Sequence, residues 1–129
     1  MNNNNNLNNE IGLVELINME FYAYHGCFKE EQIIGNKFLV SYSAQVNIEE
    51  AGKSDNLDDA LNYQELYGVI KEEMLVPSKL LENVVHRIHT KCSLRFPVII
   101  SAKVEVSKLN PPIGGKVEAS RVVITKSYR

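Results

Sequence analysis

Apolar and polar positions alternate most regularly from Phe38 onward. Phe38, Val40, Tyr42, Ala44, Val46 and Ile48 fall on one side of this run, with Ser41, Ser43, Gln45, Asn47 and Glu49 on the other; only Leu39 breaks the pattern. A period of two predicts a strand with one buried face. An earlier run over residues 12–24 is extended and apolar on both faces in places, interrupted by Glu15, Asn18 and Glu20. Together the two runs predict a hairpin joined by a long loop over residues 27–35. Further on, Val98, Ile100, Ala102, Val104 and Val106 alternate with Ser101, Lys103, Glu105 and Ser107, which predicts a third strand. A fourth is expected over about residues 116–126.

Between the two strand pairs the period changes. Residues 51–59 are polar and rich in loop formers. Asn62 followed three positions later by Glu65 is a variant of the capping box and predicts a helix starting at Tyr63. Its stripe is Tyr63, Leu66, Tyr67, Ile70 and Met74, and Pro77 stops it. Ser78 is a suitable N-cap for a second helix, with the stripe Leu81, Val84, Val85, Ile88 and Cys92. The order strand, strand, helix, helix, strand, strand predicts an α+β domain, a four-stranded antiparallel sheet with two helices on one face. Such a sheet leaves two edges open, so subunits are expected to join their sheets.

Composition narrows the function. The chain has 129 residues, 44% hydrophobic and 23% charged, with a formal net charge of -2. That balance suits one globular domain and carries no electrostatic footprint for nucleic acid or an acidic membrane. No apolar run reaches the length of a membrane span. Residues 1–10 are nearly all asparagine, with neither the basic nor the apolar segment of a secretory signal. They are expected to form a disordered tail, with the domain over residues 11–129. Cys27 and Cys92 have no metal-ligand spacing. Reduced thiols in a cytoplasm are the simpler expectation.

Few residues stand out chemically. Lys108 is the next position on the buried face of the third strand, just before the stiff turn Asn110-Pro111-Pro112. An ammonium held at the mouth of a core can be desolvated and its pKa lowered; the alternative is a frayed strand end whose lysine stem snorkels to water. Glu82 borders the apolar stripe in the first turn of the second helix. It is either a dipole-compatible surface charge or an acceptor for a planar amidine edge. Tyr63 can serve the core or a neighbouring pocket. Glu31, in the Lys29-Glu30-Glu31-Gln32 segment, reads as a solvated charge. His86 and His89 lie three apart on a helix, without an evident third metal ligand, and read as two solvated side chains on a helix flank.

Five collinear pieces resemble the dihydroneopterin aldolases of folate biosynthesis. They are Phe21-Tyr22-Ala23-Tyr24-His25-Gly26, Glu31 before Ile34-Gly35, and Ser54-Asp55-Asn56-Leu57 leading to Asn62-Tyr63. The others are Leu80-Leu81-Glu82 and the segment from Lys108 through Pro111-Pro112 to Gly114-Gly115. The resemblance implies a tunnelling fold, with the sheets of four subunits joined into a barrel and two rings stacked as a homo-octamer. It implies a metal-independent, cofactor-free lyase, with Lys108 and Tyr63 catalytic. Glu82, Glu31, Leu81 and Leu61 are implied to bind the pterin. It also implies a site shared between subunits, with Tyr63 and Glu31 coming from a different chain than Glu82 and Lys108. A sister enzyme, the dihydroneopterin triphosphate epimerase, shares the Ala60-Leu61-Asn62-Tyr63 segment. A non-catalytic pterin- or purine-binding oligomer is the third alternative.

Overall fold

The computed structural model describes residues 10–129. Four strands form one antiparallel sheet in sequential order: β1 (Ile11–Ala23), β2 (Asn36–Asn47), β3 (Ser101–Leu109) and β4 (Ala119–Ser127). Between β1 and β2 lies the short helix α1 (Lys29–Ile34). Between β2 and β3 lie α2 (Glu49–Ser54), a 3-10 turn at Leu57–Asp59, and the two long helices α3 (Tyr63–Met74) and α4 (Leu81–Arg95). The expected ββααββ order therefore holds for the main elements. The tail expected over residues 1–10 lies outside the described residues except for Glu10, whose carbonyl accepts the Ile48 N–H at 2.8 Å.

The core sits between one sheet face and α3 with α4. Phe38, Val40, Tyr42, Ala44 and Val46 are all buried, as their alternation predicts, and meet Val104 and Val106 of β3. Leu66, Ile70 and Met74 of α3 and Leu81, Val84, Val85, Ile88 and Cys92 of α4 close over them. At the start of α3, Tyr63 and Tyr67 leave the predicted stripe and are exposed, Tyr67 with its ring stacked on that of Phe21 at 5.7 Å. Asn62 caps α3 as expected, its Oδ1 accepting the N–H groups of Gln64 and Glu65 at 3.0 and 3.3 Å. Glu65 does not close a capping box; its carboxylate pairs with Arg95 at 2.6 Å.

Three further local expectations differ from the structure. The loop over residues 27–35 contains α1, which buries no residue and so shows no apolar stripe. The third strand starts at Ser101, not Val98: the turn after Pro97 shifts the phase, so Ile99 is buried while Val98 is exposed. Ser78 is not the cap of α4; Leu80 is, and it offers no side-chain hydrogen bond. In β1 the register slips between Leu16 and Met19, at Asn18 with φ 54°. Ser41 Oγ accepts the Asn18 N–H at 2.9 Å and seals this bulge.

Candidate active site

Lys108 lies opposite Phe38, at the end of β2 and β3 where the sheet meets α1 and the start of α4. The chain beyond it is held by two hydrogen bonds: Asn36 Nδ2 donates to the Leu109 carbonyl at 2.7 Å, and the Asn110 N–H to the Glu118 carbonyl at 2.9 Å. Asn110 takes φ 47°, a left-handed turn that asparagine tolerates. The ammonium is not left to snorkel. Its Nζ stands 5.9 Å from the centre of the Phe38 ring and donates to Glu31 Oε1 at 2.7 Å. Both side chains of this pair are only 13% exposed.

Glu31 is thus far from a solvated loop charge. It occupies the third position of α1, and its Oε2 accepts the Phe28 N–H at 3.2 Å. Burial works to raise its pKa. The hydrogen bond from Lys108, the Phe28 N–H and the Lys108 charge outweigh burial, and the carboxyl ends below its usual range. Gly26 makes this placement possible, since a Cβ there would stand 2.4 Å from the Glu31 carboxyl carbon. Gly35 has an equivalent local cause. It takes φ 78°, and a Cβ would lie 2.6 Å from the Tyr22 ring.

The Lys108–Glu31 pair faces a cavity of about 300 Å³, at the lower limit for small-molecule sites. Leu80, Leu81 and Glu82 form one wall, Cys27 and Phe28 another, and Pro111, Pro112 and Ile113 a third. Glu82 is exposed, at the second position of α4, where the helix N-terminus favours a carboxylate. The arrangement places one acceptor carboxylate and one paired lysine around an apolar slot. Leu81 is 9% exposed and belongs to both slot and core.

Tyr63 and Leu61 lie elsewhere. They line a separate cavity of about 190 Å³ with Val46, Asn47 and Ile48, at the opposite end of β2. From Phe38 to Val46 is eight residues along one strand, on the order of 27 Å. One copy therefore brings together Lys108, Glu31, Glu82 and Leu81, and leaves Tyr63 and Leu61 apart. The expectation that Glu31 comes from a different chain than Lys108 is corrected by their 2.7 Å contact. Of the helical histidine pair, His86 is exposed but His89 is buried, hydrogen-bonded through both ring nitrogens.

Residues 14–125 match the family model of dihydroneopterin aldolase (FolB). The chain belongs to that family. A dihydroneopterin aldolase of Bacillus subtilis (strain 168) is 38% identical over 109 residues, 84% of this chain and 91% of the relative. Among solved structures, E. coli dihydroneopterin aldolase in complex with neopterin superposes with a TM-score of 0.83 at 19% identity, covering 90% of this chain and 99% of that one. Dihydroneopterin aldolase from Burkholderia thailendensis bound to guanine gives a TM-score of 0.73 at 15% identity, covering 91% of each chain. These two structures share the tunnelling-type α+β fold.

Sequence reasoning did not single out His25 or Arg87 and read Ser78 only as a helix cap, yet the three frame the site. The His25 ring is 1% exposed, and its Nδ1 accepts the Ser78 N–H at 3.1 Å. Burial, then the Arg87 charge, pushes its pKa down to about 4. Nothing in the pattern of residues flags Arg87 or ties Ser78 to it, because their contacts run largely to backbone groups and to His25, 53 positions from Ser78.

Proposed function

We propose that this chain cleaves 7,8-dihydroneopterin by retro-aldol chemistry, giving 6-hydroxymethyl-7,8-dihydropterin and glycolaldehyde for folate biosynthesis in the cytoplasm. The observation that carries this is the Lys108–Glu31 pair at 2.7 Å, set in the same cavity as the exposed Glu82 carboxylate. Glu82 accepts two N–H groups from the amino-pyrimidinone edge of the pterin, a planar donor pair suited to a carboxylate. Leu81 and Leu61 pack against the ring.

The bond that breaks joins the two hydroxyl-bearing side-chain carbons nearest the ring. The farther hydroxyl loses its proton and becomes the aldehyde carbonyl. The bonding electrons pass into the ring C=N, whose nitrogen takes up a proton. The enol-like intermediate then takes a proton on carbon while the ring nitrogen gives its proton up, which restores the ring C=N and yields the hydroxymethyl product. Lys108, oriented by Glu31, serves this proton traffic as a general acid–base group. Tyr63 supplies a proton to the intermediate. The substrate ring is its own electron sink, so these side chains suffice and the reaction draws on no cofactor.

Tyr63 and Leu61 reach the cavity from a neighbouring copy in this proposal. Support comes from their position at the far end of β2 and from the open edges of β1 and β4. The assembly is a homo-octamer of two stacked four-subunit rings. Incubation with 7,8-dihydroneopterin tests the function: glycolaldehyde appears with the hydroxymethyl pterin. Tight pterin binding without glycolaldehyde would leave a binding oligomer instead.

A further inference from the structure

We propose that Ser78, gripped by His25 and Arg87, is a positioning residue that sets the spacing between the Glu82 anchor and the Lys108–Glu31 pair. The inference rests on the aldolase function above and adds three residues to which that function assigns no role.

All the polar groups of Ser78 are engaged. Its N–H donates to His25 Nδ1 at 3.1 Å, and its carbonyl accepts the Gly26 N–H at 2.9 Å. Its hydroxyl donates to Asn83 Oδ1 at 2.6 Å and accepts from Arg87 Nη2 at 2.8 Å. Arg87 is committed in the same way. Its Nε donates to Asn83 Oδ1 at 3.3 Å, its Nη1 to the carbonyl and carboxylate of Glu73, each at 2.8 Å, and its Nη2 also to the Val76 carbonyl at 2.8 Å. The five donors of a planar guanidinium thus fix the turn between α3 and α4 in one geometry.

The location gives this network its function. His25 and Gly26 lead directly into Cys27 and Phe28, the cavity wall beside Glu31. Ser78 leads into Lys79 through Glu82, the opposite wall, and Asn83 is the neighbour of Glu82. The two walls are tied together at one residue. A rigid bicyclic ligand needs its edge acceptor and its acid–base group at one fixed separation, and an error of about 1 Å there is costly. Helix α4 supplies no side-chain cap of its own at Leu80, so its first turn takes its side-chain hydrogen bonding from this network. His25 must accept through Nδ1, which places its one proton on Nε2, an atom without a hydrogen-bond partner. An asparagine Oδ1 can take the place of Nδ1; a leucine cannot.

The experiment compares the full chain with Ser78→Ala, His25→Leu and His25→Asn. It measures the dissociation constant for neopterin, KM and kcat for 7,8-dihydroneopterin, and the thermal midpoint. Ser78→Ala and His25→Leu are expected to raise both the neopterin dissociation constant and KM about tenfold, and to lower kcat about tenfold because the anchored ring then sits off the Lys108 acid–base group. His25→Asn stays within about threefold of the parent in all three. Unchanged neopterin affinity in folded Ser78→Ala overturns the proposal, as does a kcat within about threefold of the parent. If His25→Leu fails to fold, Ser78→Ala and His25→Asn decide alone. A parent chain that binds neopterin but releases no glycolaldehyde overturns the aldolase function and leaves the affinity comparison to judge Ser78; normal turnover with parental affinity in Ser78→Ala overturns only the positioning role.

Discussion

The two buried histidines, His25 and His89, are each 1% exposed, yet they sit in opposite kinds of surroundings. His89 Nε2 donates to the Ile124 carbonyl at 2.9 Å, so its Nδ1 must accept, and it does so from the Tyr128 hydroxyl at 2.6 Å. Tyr128 in turn accepts from the Tyr42 hydroxyl at 3.0 Å. Every member of this chain has a partner, and burial lowers the His89 pKa and raises that of Tyr42. At the other end of the sheet the polar groups are less closed. Lys108 and Glu31 meet on a cavity wall and Glu82 faces outward, while His25, which does not line that cavity, uses one ring nitrogen. A closed chain of buried hydrogen bonds specifies packing. A polar cluster with free valence toward a cavity is a place to bind.

That contrast predicts unequal responses to substitution. The largest is expected at Lys108. Lys108→Ala lowers turnover by roughly 10²–10⁴-fold with neopterin affinity little changed; steady-state kinetics beside a binding titration checks it, and turnover within a few-fold of the parent would remove Lys108 from the chemistry. Next comes pH. His25 titrates near 6.5 when unfolded and about 4 when folded, so between these values the unfolded chain holds more protons. Stability is full above that window and declines as pH falls through it, by about 3 kcal/mol in total. The depressed pKa of Glu31 acts in the same direction, its stabilisation being lost as pH falls. Urea unfolding between pH 7 and 4 should show the decline, flattened in His25→Asn; an identical slope in that variant would contradict it.

Glu82→Ala is expected to weaken neopterin binding roughly 10- to 100-fold, since it leaves two ligand N–H groups without their charged acceptor. Calorimetry with unchanged affinity would return Glu82 to the role of a helix-dipole charge. The smallest effect belongs to the closed chain. Tyr128→Phe should cost about 1–2 kcal/mol of stability by orphaning His89 Nδ1, while turnover stays within about twofold. Loss of activity without loss of stability would erase the distinction between the two ends.

Much of the fold was legible because it rests on long, regular patterns. The β2 alternation identified five buried residues and failed only at its last position, Ile48, which lies past the strand end and is 41% exposed; the α4 stripe is buried throughout. The failures share a cause. Helix α1 has only six residues and buries none of them, so no periodicity marks it. At residues 98–100 the alternation ran in the wrong phase because the turn after Pro97 resets which face is inward. In the site, Lys108 and Glu82 stood out as charges at apolar borders. Glu31 did not, because its partner lies 77 positions away and nothing local signals the contact. Ser78 looked like a cap because its hydroxyl suits one; the structure gives that hydroxyl to Asn83 and Arg87.

The most direct measurement addresses the separation of Tyr63 from Lys108 along β2. Tyr63→Phe and Glu82→Ala chains, each impaired, would be mixed, dissociated and reassociated, and glycolaldehyde release recorded beside the mass of the mixed oligomers. Pockets shared between copies predict activity above that of either parent variant, since some pockets regain both native side chains while others carry both lesions. Mixed oligomers confirmed by mass, yet no more active than the two variants apart, would contradict a site assembled from two copies of this chain.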